Sequence, residues 1–521
     1  MTDRSLRDRH RKVLPEWMTL YYQEPIEIVR GHGRRVTDAQ GRSYLDFFAA
    51  ARTHWLGYGV PEVEEAIREQ LSRGEQATAT SYLNRSEVEL AERIAGVSGI
   101  PSAKVCFTSS GTEANELALM LTCHHRGSNH VLALRNGFHG RSFATAAVTG
   151  MRGWTATPLS PVQVTHIHGG YRYRSPLGHL GDDDYVRACT QDLREVLASS
   201  TAGDVACLIA EPVQCIGGNT APPKGLFTAY QAVLREHGIP LVSDELYSGW
   251  GRTGDHFWGM AAHGASPDVI TFAKGLDHGL SLAAVVARPE LMESLGSQMR
   301  STAGGRPLAA AAAHAVLDYL EAHDLQANAA KQGGLLLAGL RNATEGNALV
   351  GEVRGTGLLL GIELVEPGTN TPHPAGGTPR SGAGPGPRPS RGHRRNVRQH
   401  HPAGPADDPH QLRDRRGSEH SRRSPGSRAF TTLIRSASQQ GTPKRSHLFS
   451  SRDTATAFID HVPCRRTLIN VKVVVVSLLA RIAPADARHR WLILTAESPP
   501  PRGGRLAQPR GIGKLSGCSR G

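Results

Sequence analysis

Two short apolar runs of strand type each end in a charged side chain: Leu241-Val242-Ser243-Asp244-Glu245 and, further along, Ile270-Thr271-Phe272-Ala273-Lys274-Gly275. Strand ends in an open α/β sheet are where ligands sit. An amine drawn out of water at such a place gives up its proton more readily than a surface amine, and the free amine condenses with aldehydes. A carboxylate close by keeps a pyridine nitrogen protonated, which lets pyridoxal 5'-phosphate (PLP) act as an electron sink. Lys274 and Asp244 together therefore suit a PLP site. The plain alternative for Lys274 is a solvated surface group, the usual fate of lysine.

A phosphate needs a cradle, and Phe107-Thr108-Ser109-Ser110-Gly111-Thr112-Glu113-Ala114-Asn115-Glu116 offers one ahead of the apolar run from Leu117 to Leu121. Small residues with free N–H groups at a helix start attract an anion, and the Ser and Thr hydroxyls add donors. Taken alone, this stretch is only a capped helix start. Cradle, pyridinium partner and Schiff-base lysine in one chain form a more specific pattern than any one of them.

With these residues stand Phe138-His139-Gly140-Arg141-Ser142, Ala210-Glu211-Pro212-Val213-Gln214, Gly249-Trp250-Gly251-Arg252-Thr253-Gly254 and Ala273-Lys274-Gly275. In this order they resemble the motifs of class III aminotransferases, from about Leu20 to about Glu366. Arg172-Tyr173-Arg174-Ser175-Pro176 and the run Gly251 to Gly259 resemble the alanine-glyoxylate aminotransferase-like subgroup. The resemblance implies the α/β architecture of fold type I PLP-dependent transferases. It also implies a homodimer with active sites at the subunit interface.

The resemblance also implies roles for single residues. Lys274 binds the cofactor and moves the proton, and Asp244 pairs with the pyridinium. Ser110, Gly111 and Thr112 hold the phosphate. Phe138 stacks on the ring, and His139 lies beside it. Thr302, in Ser301-Thr302-Ala303-Gly304-Gly305-Arg306-Pro307, reaches the phosphate from the other subunit. Each has a plainer reading: Phe138 as a core ring, His139 as a structural neighbour, Thr302 as a loop threonine. Three departures from the family stand out. Its Val-Gln-Thr after Asp-Glu is here Leu246-Tyr247-Ser248, so Tyr247 replaces the glutamine that hydrogen-bonds the cofactor's phenolic oxygen. Its Phe and Asn near Thr302 are Ala303 and Arg306. Past the lysine, Leu276-Asp277-His278-Gly279 replaces a smaller, neutral stretch.

The elements that would position these groups alternate. Strand-like runs occur at Val105–Thr108, Val131–Leu134, Val162–Ile167, Ala206–Ala210, Pro240–Ser243, Val269–Ala273 and Ala283–Ala287, with helical patterns at Glu113–Cys123, Gln191–Ala198 and Leu226–His237. Such alternation predicts a mostly parallel sheet covered on both faces. We expect a large PLP-binding domain over 56–288. A smaller α/β domain would draw on residues 1–55, with a hairpin over Val36 to Leu45, and on 289–374.

A chain of 521 residues exceeds one compact core. Its net charge of +13 first suggests nucleic acid. Located along the chain, the charge says otherwise: residues 1–366 carry a net −6 and residues 367–521 a net +19. The tail also lacks the aromatic interleaving of a base-stacking surface, so no nucleic-acid partner is expected. The seven cysteines form no C-x-x-C pair and suit a reducing cytoplasm. The charged N-terminus lacks the apolar core of a signal peptide, and the run from Val471 to Ala480 is too short to span a bilayer, so no membrane partner is expected.

From residue 375 to 521 the composition turns to Gly, Pro, Arg, His and Ser, the mark of a disordered basic tail. Of the tail's 27 basic residues, 24 are arginine, as expected of GC-rich DNA translated out of register. Back-translated and read one nucleotide later, Gly384 to Asp408 permit a string ending Gly-Asn-Ile-Thr-Arg-Leu-Ala-Pro-Pro-Met, which resembles the family's C-terminal domain. We read this as a frameshift between about Ala375 and Gly384. In the family the arginine of Arg-Leu-Ala-Pro binds the substrate α-carboxylate, and otherwise pairs with a glutamate matching Glu211. Without that arginine, a buried Glu211 has a raised pKa. The expected activity is transamination between a small amino acid (alanine, or a β- or ω-amino acid) and a 2-oxo acid, weakened by this loss. The alternatives are another fold type I reaction, such as racemisation, or a non-catalytic product of a damaged gene.

Overall fold

The computed structural model describes residues 5–18, 20, 25–49, 53–75, 82–151, 153–155, 159–297, 299, 301–373 and 455–458. Helix α1 (Leu6–Val13), capped by Ser5, buries none of its residues. Strands β1 (Ile28–His32), β2 (Arg35–Asp38) and β3 (Ser43–Leu45) form an antiparallel meander that contains the expected hairpin. The Asp38 carboxylate holds its turn, accepting from the N–H groups of Gln40 (3.0 Å) and Arg42 (2.8 Å) and from the Tyr44 hydroxyl (2.6 Å).

Helices α2 (Pro61–Ser72) and α3 (Arg85–Val97) come next, the first opened by Pro61 and the second capped by Asn84, which accepts from the Glu87 N–H at 3.4 Å. The chain then alternates as expected, through β4 (Lys104–Thr108), α4 (Gly111–Arg126), β5 (His130–Leu134), α5 (Phe143–Val148), β6 (Gln163–Ile167), α6 (Asp182–Ser199), β7 (Cys207–Ala210), α7 (Leu226–Glu236), β8 (Leu241–Asp244), β9 (Val269–Phe272) and β10 (Ala283–Ala287). Seven strands make one sheet in the order β4-β10-β9-β8-β7-β5-β6. All neighbours pair in parallel except β10, which is antiparallel to both β4 and β9.

Period-2 burial feeds both faces of this sheet. Val131 and Ala133 of β5 join Ala114, Ala118 and Leu121 of α4 on one side. Leu132 and Leu134 pack against Tyr185, Leu193 and Phe227 on the other. Toward the β10 edge, Ile270, Phe272, Ala284 and Val286 meet Trp250, Trp258 and the alanine-rich helix Pro307–Ala322.

After the short α8 (Pro289–Met292), α9 (Pro307–Ala322) and α10 (Leu325–Thr344) lead into β11 (Val350–Thr356) and β12 (Leu359–Leu364). Leu336 and Leu340 of α10 close a small core with Leu360, Ile362 and Leu364. The basic tail expected from residue 375 lies outside the described residues, apart from Ala455–Phe458. Those residues form β13, antiparallel to β12 with Phe458 opposite Leu359, a strand where the tail's composition predicts none. The five described cysteines are free thiols, while Cys464 and Cys518 lie outside the described residues. Among the described residues no helix is long and apolar enough to cross a membrane, and no group of His, Cys, Asp and Glu could hold a metal ion.

Candidate active site

Strands β8 and β9 run side by side, with Asp244 in register with Thr271. Lys274 follows β9 by way of Ala273 and opens a 3-10 turn, Lys274–Asp277. Its φ is +52°, and Gly275 follows at φ +31°, a sharp reversal that few side chains tolerate. A Cβ on Gly275 would lie 2.1 Å from the Trp55 indole, so glycine is required there twice over. Parallel pairing thus brings the acid and the amine of the sequence motif to the same end of two adjacent strands.

Asp244 is 2% exposed, and a buried carboxylate needs donors. Its Oδ2 accepts from Asn115 Nδ2 at 2.7 Å and lies 2.8 Å from His139 Nδ1, while Oδ1 accepts from the Leu246 N–H at 3.2 Å. Because a carboxylate only accepts, Nδ1 carries the proton. Nε2 of this buried ring has no hydrogen-bond partner in the structure. Asn115 spends its whole amide on the site: its nitrogen also donates to the His139 carbonyl (2.8 Å), and its oxygen accepts from the Thr271 hydroxyl (2.6 Å). One α4 side chain therefore fixes β8, β9 and the loop at residue 139 against one another.

Helix α4 begins beside this cluster. Ser110 is its cap, accepting from the Glu113 N–H at 3.2 Å, so the helix-cap reading of the motif holds, and the hydroxyl proton is still available to an anion. A Cβ on Gly111 would stand 2.0 Å from Leu246 Cδ2 and 3.4 Å from Ala273 Cβ, which places the helix start against the residues following β8 and β9. Across from it, Gly140 packs closely: a Cβ there would stand 2.7 Å from Thr145 Oγ1 and 2.9 Å from Thr112 Oγ1.

Phe138 is half-buried, edge-on to Trp154 at 5.3 Å, and its N–H donates to Glu211 Oε1 at 2.8 Å. Glu211 Oε2 accepts from the Cys215 N–H at 3.2 Å. Burial pushes the Glu211 carboxyl up to about 7, and nearby Asp244 adds to the rise against the opposing pull of His139 and the two N–H donors. The expected elevation is therefore present. The Tyr247 ring lies beneath Lys274, with Nζ 3.6 Å from the ring centroid. Thr302 is exposed on a loop that packs beside the cradle: Gly304 lies against the Phe107 carbonyl, and Ser301 hydrogen-bonds Glu113 of α4.

Sequence reasoning missed the parts played by Asn115, Thr271 and Glu245. Asparagine is a poor residue inside a helix, and its presence one turn into α4 was the signal available. Glu245, fully buried, accepts from Ser243 Oγ (3.0 Å), Ser248 Oγ (2.6 Å) and the N–H groups of Gly259 and Met260 (2.8 Å each). That set of donors makes it the brace of the loop after β8. A buried, anchored acid, a half-buried amine and a helix start that carries hydroxyl donors together fit PLP. An open Nε2 beside them belongs to the same arrangement.

Residues 20–379 match the family model described as aminotransferase class-III. The chain is 36% identical over 358 residues to alanine–glyoxylate aminotransferase 2 homolog 2, mitochondrial, of Arabidopsis thaliana, covering 68% of this chain and 73% of that one. It is 34% identical to acetylornithine aminotransferase of Methanothermobacter thermautotrophicus, covering 67% and 83%. Among solved structures, an amine transaminase from an uncultivated Pseudomonas species, in PLP-bound form, superposes with a TM-score of 0.63 at 32% identity, over 66% of this chain and 81% of that one.

Proposed function

The chain belongs to the class III aminotransferases, and on that premise we propose that it passes the amino group of a small donor, alanine or a β- or ω-amino acid, to a 2-oxo acid at the site around Lys274 and Asp244. Its chemistry is PLP-dependent transamination. When bound, PLP supplies the electron sink that makes the donor's α-hydrogen acidic. The protein's residues supply the rest. Lys274 holds the cofactor and then carries the proton to and from the α-carbon. Asp244 provides the negative charge for the ring nitrogen, with Asn115 and His139 keeping it in place. The α4 N-terminus at Ser110, Gly111 and Thr112 takes the phosphate. Phe138 flanks the ring and His139 sits beside it. Thr302 completes the phosphate site from a second subunit.

The observation that carries this reading is the Asp244 carboxylate, buried, anchored on three sides, and brought by strand register to the sheet end from which Lys274 projects. A homodimer is supported by large apolar side chains left exposed, Leu83 fully and Tyr82, Phe143 and Leu159 by more than half. Free thiols support a reducing cytoplasm.

The end of the class III match at residue 379 agrees with a change of reading frame near there. Among the described residues, Glu211 accepts from backbone N–H groups and from no guanidinium. We therefore expect slow transamination with α-carboxylate donors. Adding alanine, a β-amino acid or an ω-amino acid to the PLP-loaded protein tests the reading. Loss of the visible cofactor band on donor addition, and its return with a 2-oxo acid, is the expected result. A band indifferent to every donor would instead favour the non-catalytic reading.

A further inference from the structure

At position 247 this chain places a tyrosine where the family it resembles has a glutamine, and the ring has a definite position. Nζ of Lys274 lies 3.6 Å from the ring centroid, well inside the range at which an ammonium is held by a π face. The ring is itself fixed. It packs against Val213 and Cys215 of the loop after β7 and against Leu359 of β12. It also packs against the α4-side core of the large sheet. The lysine approaches from a left-handed backbone position, φ +52°, and the Gly275 reversal keeps it there.

We propose that Tyr247 is the seat of the Lys274 ammonium, a positioning residue that sets how readily the amine is released for aldehyde capture and for proton transfer. A glutamine in this place would act on the cofactor. The tyrosine acts on the lysine. An aromatic face attracts a cation, so the contact holds Nζ in a fixed place while it is not bonded to the cofactor. Because Leu359 belongs to the cluster that supports the ring, β12 bears on the lysine through Tyr247.

The inference rests on Lys274 being the cofactor lysine, and its test is separable from that reading because it uses the cofactor-free full chain. Lysine labelling by formaldehyde and cyanoborohydride at neutral pH is followed by peptide mass spectrometry, with Lys104, Lys224 and Lys331 as internal references. Tyr247→Phe retains the π face, and Lys274 in it should label at the wild-type rate. Tyr247→Leu and Tyr247→Gln remove the face, and Lys274 labelling should rise roughly five- to thirty-fold, the range expected for loss of a partly desolvated cation–π contact. The exposed reference lysines should not change, and thermal unfolding at the wild-type temperature shows that the fold is intact. Equal Lys274 rates in wild type and Tyr247→Leu, or a rise in Tyr247→Phe equal to that in Tyr247→Leu, would overturn the proposal.

Discussion

Nδ1 of His139 lies 2.8 Å from Oδ2 of Asp244, with both residues buried, and Asn115 meets the same carboxylate oxygen from the other side at 2.7 Å. The acid is thus braced by two donors on different elements, and its orientation depends on both. Asn115→Ala removes a hydrogen bond to a buried charge and leaves the Thr271 hydroxyl without its acceptor. We expect a loss of about 2 kcal/mol in stability, with weaker cofactor retention. Urea unfolding and dialysis against PLP-free buffer measure the two effects. Unchanged stability would remove Asn115 from the brace.

Glu211 gives a pH dependence with a definite sign. Its carboxyl titrates near 7 in the folded chain, against the usual 4.5. Between those values the folded chain holds a proton that the unfolded chain has released, so this contribution to stability is complete below about pH 4.5 and is lost as pH rises through about 7. The loss is at most about 3 kcal/mol. Glu211→Gln should therefore melt above wild type at pH 8 and close to it at pH 5 in thermal unfolding. A variant less stable than wild type at pH 8 would contradict the assignment.

A buried ionic cluster ties β11 and β12 to the large sheet's loops. Glu363, fully buried, binds Arg354 at 2.6 Å and also Arg174, while Arg354 donates on to Glu352 (2.5 Å) and to the Gly218 carbonyl (2.9 Å). The Tyr171 ring lies near both guanidinium groups, at 5.5 and 5.6 Å. Arg354→Met leaves the buried Glu363 with Arg174 alone, so it should cost up to about 3 kcal/mol in urea unfolding. Arg354→Lys should recover only part of this, because a compact ammonium lacks the planar, spread-out donors that reach Glu363, Glu352 and the Gly218 carbonyl together.

Most of the large sheet was legible because its central strands are largely apolar and several are separated by helical periods. All seven runs became strands, with ends shifted by a residue or so. Helix α6 was read short: it begins at Asp182, well before Gln191, because three aspartates in its first turn suit a helix N-terminus although they break the apolar stripe. The antiparallel course of β10 was not legible, since strand direction leaves no periodicity signal. In the site, Asp244, Lys274, Gly111 and Glu211 could be read from residue type and place in a motif. Asn115, Glu245 and the Arg174–Glu363–Arg354 cluster could not, because hydrogen bonds between distant segments depend on how the layers dock. The orientation of Tyr247 was missed for the same reason.

Transamination here depends on the Lys274 amine capturing the cofactor. Full-length protein incubated with PLP, reduced with borohydride and digested should carry the pyridoxyl mass on the peptide containing Lys274. Lys274→Ala should lose that adduct while unfolding at the wild-type temperature. An adduct on Lys104, Lys224 or Lys331 that persists in Lys274→Ala, or no adduct in folded wild type, would contradict it.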